Sequence, residues 1–192
     1  MAVSNWVQKK VVNMTLSIED EAGDHVLQHA TSTPSATANF LYVDKTDFMN
    51  SEVIGEFKFV PASFLQRGSF VFRSDTALDN AYLASFYFNG ALYIEKYDAG
   101  VRSTLLSTSS VALPAGTWYK FRIRCWDVVF PSNRVRFTFE QETAPGVWTL
   151  RWQTDDVTNF LLGITGRNGF GSFNPTSTAS IRFNNFDLGH MV

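Results

Sequence analysis

The sequence predicts an all-β fold with a single domain, which is an antiparallel β-sandwich of two sheets. Short runs of alternating apolar and polar residues follow one another from residue 52 to residue 188, separated by turn residues, and this pattern is typical of a sandwich or barrel. The 192 residues include 18 Phe, 6 Tyr and 5 Trp, side chains that favour pleated surfaces and bury about 150–250 Å² each. A chain of this length fits a single domain spanning residues 1–192.

Four runs predict strands in the first half of this region, at residues 52–60, 68–73, 82–88 and 91–97. In the second run, Phe70 and Phe72 are predicted to face the core and Arg73 the opposite side, because side chains alternate along a strand. The third and fourth runs flank Asn89-Gly90. An Asn-Gly pair supplies the positive φ angles of a two-residue turn, so these two runs are predicted to form a hairpin.

The second half continues the pattern. Residues 118–126 and 134–140 alternate without a break, and residues 148–153 and 179–188 predict two further strands, the last of which is expected to close a sheet. Period-two alternation places one set of side chains in a core and the other toward solvent. The small-polar residues 31–39 are interpreted as a loop and residues 1–12 as an N-terminal arm.

Composition excludes several classes of partner. The net charge is −2, whereas nucleic-acid-binding domains normally carry a basic patch or stripe. No apolar stretch of signal-peptide length follows Lys9 and Lys10, and no segment approaches 18 apolar residues. Neither export nor membrane insertion is therefore expected, and the residues alone favour a cytoplasmic location.

Four motifs together resemble one known superfamily. Residues 116–123 (GTWYKFRI) match the G-x-W-Y-x-hydrophobic-x-hydrophobic strand of the concanavalin A-like lectin/glucanase superfamily, and within it of the laminin-G-like modules. The supporting motifs are an F-R strand, a glycine turn with its strand, and an F-D strand, at residues 68–75, 163–173 and 181–188. The resemblance covers residues 52–188 and implies a jelly roll. The chain also resembles jelly-roll proteins of bacteriophage capsids and tails, which implies a virion location.

The high aromatic content and the lack of a complete catalytic set predict a non-enzymatic module for attachment or structure. The fold hosts lectins, glycosidases, protein-docking modules and virion appendages alike, and no catalytic set is complete in this sequence. The implied partner is a protein lattice or a surface glycan, and a virion component of this kind is expected to be a homo-oligomer.

A divergent glycoside hydrolase is the alternative function. Glycosidases of the superfamily carry three carboxylates on one strand as E-x-D-x-E; here Glu52 and Glu56 take the outer positions and Ile54 stands in place of the aspartate. Residues four apart on a flat strand have Cα atoms roughly 13 Å apart, while retaining hydrolysis needs carboxyl groups about 5–5.5 Å apart. A solvated strand face is the simpler interpretation of the two glutamates.

A ligand-binding surface is predicted from the solvent-side residues of the central strands and the hairpin. Rings cover the apolar face of a sugar while polar groups take its hydroxyls, and arginine with aromatic residues also marks protein interfaces. Glycan binding and protein docking both stay open, beside the interpretation that the arginines simply cover an outer sheet. The predicted binding residues are Tyr87, Tyr93, Arg122, Arg124, Trp126 and Arg136, with Tyr97 as a further hairpin aromatic.

No cofactor is required by any motif, and calcium is the one candidate that the resemblance adds. Many jelly-roll modules hold Ca²⁺ through Asp and backbone oxygens, and Asp187 lies at the corresponding position of the last strand. The acidic residues from Glu19 to Glu21, together with Asp24, would contribute if the N-terminal strands pair with that strand. Cys125, the single cysteine, lies on the apolar face of its strand and is interpreted as a buried structural thiol.

Overall fold

The computed structural model of the protein describes residues 6–9, 14–21, 23–31, 39–43, 49–60, 66–75, 77, 79–109, 113–158, 161, 163–173 and 180–190. Within these ranges the chain forms two antiparallel sheets of seven strands each and no helix. The inner faces of the two sheets enclose one main cluster of buried side chains. The predicted all-β, two-sheet antiparallel sandwich is confirmed.

The strands are numbered in chain order. From edge to edge, sheet A contains β1 (Trp6–Lys9), β4 (Asn39–Val43), β13 (Arg167–Phe173), β6 (Arg67–Ser74), β7 (Ala81–Tyr87), β8 (Ala91–Asp98) and β9 (Val101–Ser109). Sheet B contains β12 (Val147–Asp156), β11 (Arg134–Ala144), β10 (Tyr119–Val128), β5 (Ser51–Val60), β14 (Ser180–His190), β3 (Asp24–Thr31) and β2 (Met14–Glu21).

Phenylalanine rings fill the space between the sheets. Phe86 of sheet A stacks on Phe121 of sheet B with ring centroids 4.8 Å apart, and Phe121 in turn lies 4.8 Å from Phe139 and 5.0 Å from Phe57. Each of these four side chains is at most 2% exposed. Such ring pairs contribute about 0.5–1.5 kcal/mol beyond the area they bury. The alternation predicted for residues 118–126 and 134–140 is thus confirmed by the burial of its apolar set.

The hairpin at Asn89-Gly90 is confirmed, but its turn differs from the predicted one. Three residues separate β7 from β8, the Gly90 amide donates to the Tyr87 carbonyl at 2.9 Å, and of the pair only Gly90 has a positive φ, 87°. This is a three-residue connection with glycine in the left-handed position. The two-residue turn with positive φ at both positions is Ala99-Gly100, between β8 and β9.

Three predictions about the segments need correction or completion. Residues 6–9 of the predicted arm form β1, which pairs with β4; the rest of residues 1–12 lies outside the described residues. The predicted loop 31–39 begins on the last residue of β3 and ends on the first of β4, and residues 32–38 also lie outside the described residues. Strand β14 does not close its sheet, because it pairs with β5 on one side and β3 on the other.

A buried arginine joins the two sheets at one end of the sandwich. Arg73 of β6 is 1% exposed and donates to Asp127 Oδ1 of β10 at 2.7 Å and to the carbonyls of Met49 and Leu161 at 2.8 and 2.7 Å. The alternation predicted the outer face for this side chain, and that prediction is wrong. Its φ of 52° and the register shift between β6 and β13 turn the side chain into the interior.

Gly166 makes room for this arrangement. A Cβ at position 166 would lie 2.3 Å from the carbonyl carbon of Arg73, a distance at which no side chain fits without moving the backbone. Glycine is therefore required where the start of β13 approaches the turned residue of β6.

Replacement of Arg73 by methionine is expected to lower the free energy of unfolding by about 3–5 kcal/mol, because it leaves the Asp127 carboxylate buried without its cation. Urea unfolding followed by tryptophan fluorescence measures the change. Arg151→Met, an exposed position on β12, is the matched control and should stay within about 0.5 kcal/mol of the parent. A loss below about 1 kcal/mol for Arg73→Met would contradict the role of this ion pair in joining the sheets.

Candidate functional site

The six residues predicted to bind a ligand lie on two separate surfaces. Tyr87 and Tyr93 belong to β7 and β8 of sheet A, whereas β10 and β11 of sheet B carry Arg122, Arg124, Trp126 and Arg136. Their neighbours along each strand, such as Phe86 and Phe121, lie in the core, so these side chains point away from it. Because the sheets face each other through the core, the two groups occupy opposite outer faces and do not form one site.

The outer face of sheet B is a lattice of ion pairs. Arg136 donates Nε and Nη2 to the two carboxylate oxygens of Asp155 at 2.7 and 2.9 Å, and Arg134 Nε lies 2.8 Å from the same carboxylate. The hydrogen bonds from Arg136 hold the pKa of Asp155 below its usual value. Trp126 is half-buried opposite Arg136 in the ladder. The guanidinium of Arg136 is therefore committed to the protein itself.

The other two arginines predicted to bind a ligand, Arg122 and Arg124, share two glutamates. Arg122 pairs with Glu140, and Arg124 Nε donates to Glu52 Oε2 at 2.6 Å. Arg124 Nη1 also lies 3.5 Å from Glu140, and the Arg122 guanidinium sits 4.6 Å from the ring centroid of Trp148. The lattice balances positive with negative charge, which favours the interpretation that these arginines cover an outer sheet.

Glu52 and Glu56 have separate partners on this same face. Glu52 is paired with Arg124, while Glu56 accepts a hydrogen bond from Asn185 Nδ2 at 2.9 Å. Ile54, the residue between them on β5, supplies no carboxylate. A nucleophile and an acid need carboxyl groups brought together with different proton affinities, and these contacts hold each glutamate to a different neighbour.

The outer face of β7, β8 and β9 carries a group of accessible side chains, here called the tyrosine platform: Tyr87, Tyr93, Tyr97 and Arg102. The rings of Tyr87 and Tyr93 lie 4.9 Å apart at an angle of 57°. Tyr97 is the next outward residue of β8 after Glu95, and it lies roughly 13 Å from Tyr93 along the strand. Arg102 lies opposite Tyr97 in the β8–β9 ladder with 49% of its side chain exposed.

A buried polar network lies beneath the platform. Glu95 is 1% exposed, although sheet B packs on the other face of this sheet. Its Oε2 lies 3.3 Å from Arg67 Nη1 and accepts a hydrogen bond from the Ser85 hydroxyl at 3.1 Å. Arg67 also donates to the Tyr87 hydroxyl at 2.8 Å, and the hydroxyls of Ser69 and Ser85 are 2.9 Å apart. Charged and hydroxyl groups are thus held rigidly under the tyrosine rings.

Arg102 joins this network from the exposed side. Its Nε lies 3.6 Å from Glu95 Oε1. Burial alone lowers the pKa of Arg102, but the Glu95 carboxylate and the side chains of Tyr87 and Tyr97 outweigh burial and raise that pKa above its usual value. The guanidinium therefore carries its full charge at the edge of the platform.

The alternation along the hairpin strands predicts part of this site from the sequence. Tyr87, Tyr93 and Tyr97 were recognisable as one outward-facing set, because they alternate with core residues of β7 and β8. The same alternation places Glu95 between two of the tyrosines, so the sequence itself carries a signal for the buried carboxylate. Arg67 and Arg102 belong to β6 and β9, and no local pattern indicates that these strands flank the hairpin on this face.

Asp187, the predicted calcium ligand, is exposed and pairs in register with Ile54 of β5, next to an irregularity in β14. The expected pairing of an N-terminal strand with the last strand is present. Of the acidic residues expected to help, Glu21 binds Arg182 Nη1 at 2.8 Å and Lys58 instead. Among the described residues no group of three or more His, Cys, Asp and Glu side chains could hold a metal ion, so calcium at Asp187 stays a prediction.

Cys125 is fully buried on the inner face of β10, as predicted. Burial raises the pKa of its thiol from 9.0 to about 12. A thiol that stays protonated at neutral pH and has no access to solvent is a packing residue rather than a nucleophile.

The buried thiol makes stability depend on alkaline pH. The unfolded chain releases the Cys125 proton near pH 9 while the folded chain keeps it up to about pH 12, so this contribution to stability is complete below pH 9 and is lost as pH rises toward 12. Between pH 8 and 10 the parent should lose about 1 kcal/mol more than Cys125→Ala. Urea unfolding at both pH values measures the difference, and equal losses would contradict the burial of this thiol.

The described part of the chain contains no helix with the length and apolar character that a membrane crossing requires.

The sequence matches no protein-family model and no curated protein. Several solved structures share the fold. The carbohydrate-binding module CBM66 from Bacillus subtilis has a TM-score of 0.68 at 16% identity, over 96% of this chain and 94% of that chain. The potassium-bound carbohydrate recognition domain of Emp46p has a TM-score of 0.64 at 10% identity, over 99% and 90%. The endo-β-1,4-glucuronan lyase of Trichoderma reesei has a TM-score of 0.62 at 10% identity, over 96% and 90%.

These similarities show the fold alone. They agree with the jelly-roll fold that the sequence motifs imply, and all three alignments cover nearly the whole of both chains. None of the three is described as a virion protein, so the bacteriophage resemblance gains no support from them.

Proposed function

We propose that the protein is a non-catalytic carbohydrate-binding module that holds its glycan on the tyrosine platform. The observation that carries the proposal is the buried network of Arg67, Ser85 and Glu95 directly beneath partly exposed tyrosine rings. Burying charged groups costs free energy even when they are paired. These groups lie on the face of sheet A that sheet B does not cover, and a binding role accounts for their presence there.

The chemistry of the platform suits a sugar. Tyrosine rings cover the apolar C–H face of a pyranose, and phenol, guanidinium and hydroxyl groups bind its hydroxyls. The tilt between the Tyr87 and Tyr93 rings gives two differently oriented contact faces at one end, and Tyr97 supplies a third on the same strand. An extended oligosaccharide along β8 would contact all three.

The shared fold of CBM66 and the Emp46p carbohydrate recognition domain supports this proposal, since the names of both describe carbohydrate binding. Attachment to a glycan-bearing surface is the role the proposal gives the protein. A place in a virion capsid or tail, as a homo-oligomer on a protein lattice, is the setting that the sequence resemblance favours.

Tyr93→Ala is expected to weaken glycan binding at least about tenfold, a loss of about 1.4 kcal/mol, because it removes the central ring of the platform. A glycan array identifies a bound oligosaccharide, and titration calorimetry then compares the parent with the variant. Trp126→Ala on the outer face of sheet B is the control and should bind as the parent does. A protein that binds no glycan, or one that loses binding only with Trp126→Ala, would overturn the proposal.

The proposed absence of catalysis has its own test. The parent and Glu52→Gln are each incubated with β-glucan and laminarin, and reducing ends are measured over time. We expect no release from either protein, because Glu52 is engaged by Arg124 and Ile54 replaces the central aspartate. Hydrolysis by the parent that Glu52→Gln abolishes would establish the glycoside hydrolase instead.

A further inference from the structure

We infer that the tyrosine platform prefers an acidic glycan and that Arg102 is the residue that selects its carboxylate. The inference rests on the proposed function and concerns the chemical class of the ligand. It follows from the charges that face outward on β6, β7, β8 and β9.

The outward positions of these four strands hold three charged side chains: Arg67, Glu95 and Arg102. The other outward positions hold tyrosine, serine, threonine and apolar residues, among them Val71, Ala81 and Leu83. Two guanidinium groups therefore stand against one carboxylate. The surface carries one positive charge in excess, although the whole chain has a net charge of −2.

The excess charge belongs to Arg102. Glu95 is already compensated by Arg67, whose side chain is 5% exposed and fixed against it, and by the Ser85 hydroxyl. Arg102 contacts Glu95 only at 3.6 Å and leaves 49% of its side chain in solvent. A ligand thus meets Arg102, while the charges of Arg67 and Glu95 neutralise each other underneath.

A guanidinium group presents paired N–H donors that match a carboxylate in a two-point hydrogen bond. Arg102 lies beside Tyr97 in register, so a sugar ring seated on Tyr97 would bring a carboxylate substituent within reach of it. A uronate is the sugar that combines the apolar face required by the tyrosine with the anion required by the arginine. A hexose without a carboxylate satisfies only the first requirement.

Matched pairs of ligands test this inference. Tetragalacturonate and tetraglucuronate are each compared with their carboxyl-reduced forms by titration calorimetry at low and at moderate salt. We expect at least one uronate to bind about three- to fivefold more tightly than its reduced form, and the preference to shrink with salt. In Arg102→Gln the preference should disappear, because binding of the uronate is expected to fall by a larger factor than binding of the reduced form.

Arg151→Gln is the matched control, since it removes an exposed arginine from β12 of sheet B; it should keep the preference. Equal binding of acidic and neutral forms, or a preference that survives in Arg102→Gln, would overturn the inference and leave glycan binding intact. If Tyr93→Ala abolishes binding while the parent shows no acidic preference, the proposed glycan binding stands and the inferred preference for acidic glycans is overturned. Dextran sulfate is the last arm: binding as tight as that of the uronates would overturn recognition of the carboxylate in favour of any anion.

Discussion

The layer of phenylalanine rings between the sheets is the constraint on which the outer surfaces depend. Phe86, Phe121 and Phe139 pack ring to ring across the sandwich, and a strand that turns one of these residues inward must turn its neighbours outward. Tyr87 faces outward because Phe86 faces inward. Glu95 faces outward because Ile94 is buried in the core. A shift of one residue in either strand would move the core side chains to the solvent face and the polar side chains into the core. Because exposing the phenylalanine rings costs free energy, the packing of the core fixes which residues form the platform.

The same sandwich gives its two outer faces different chemistry. On sheet B, oppositely charged side chains form cross-strand pairs such as Arg136 with Asp155, so the charged groups of these pairs already have partners within the sheet. Pairs of this kind, at partly exposed positions, contribute little to stability, but they occupy the donors that a ligand would need. On the outer face of β6, β7, β8 and β9 in sheet A, Arg67 and Glu95 are buried, and the accessible positions include Tyr87, Tyr93 and Arg102. This difference is why the proposed glycan binding is assigned to sheet A, even though sheet B holds more arginines.

The local pattern of the sequence predicts strands well and neighbours poorly. Alternation located the strand around Phe121 and the hairpin around Asn89-Gly90, because each depends on residues within about ten positions. It did not separate Tyr93 from Arg122, since membership of one sheet or the other is decided by strand order, which a single sequence does not display. Arg73 shows the second kind of failure. Its inward turn depends on a positive φ and on the absence of a Cβ at Gly166, two features that lie more than ninety residues apart.

The buried network beneath the tyrosine platform connects the packing of sheet A with the proposed glycan binding, because the network is ordered in advance. Arg67, Ser85 and Glu95 are fixed by one another before any ligand arrives, so the platform does not have to order them on association. Fixing a long side chain such as arginine during binding costs about 0.5–1.5 kcal/mol. Because Arg67 is already ordered by burial in the folded protein, it adds no such cost when a ligand binds. Arg102 lies at the exposed edge, where it contacts Glu95 with 49% of its side chain in solvent, and this side chain would be ordered further on meeting an anion. A buried network that is ordered before binding, with one exposed guanidinium above it, favours moderate affinity. Discrimination between acidic and neutral ligands would then depend mainly on Arg102.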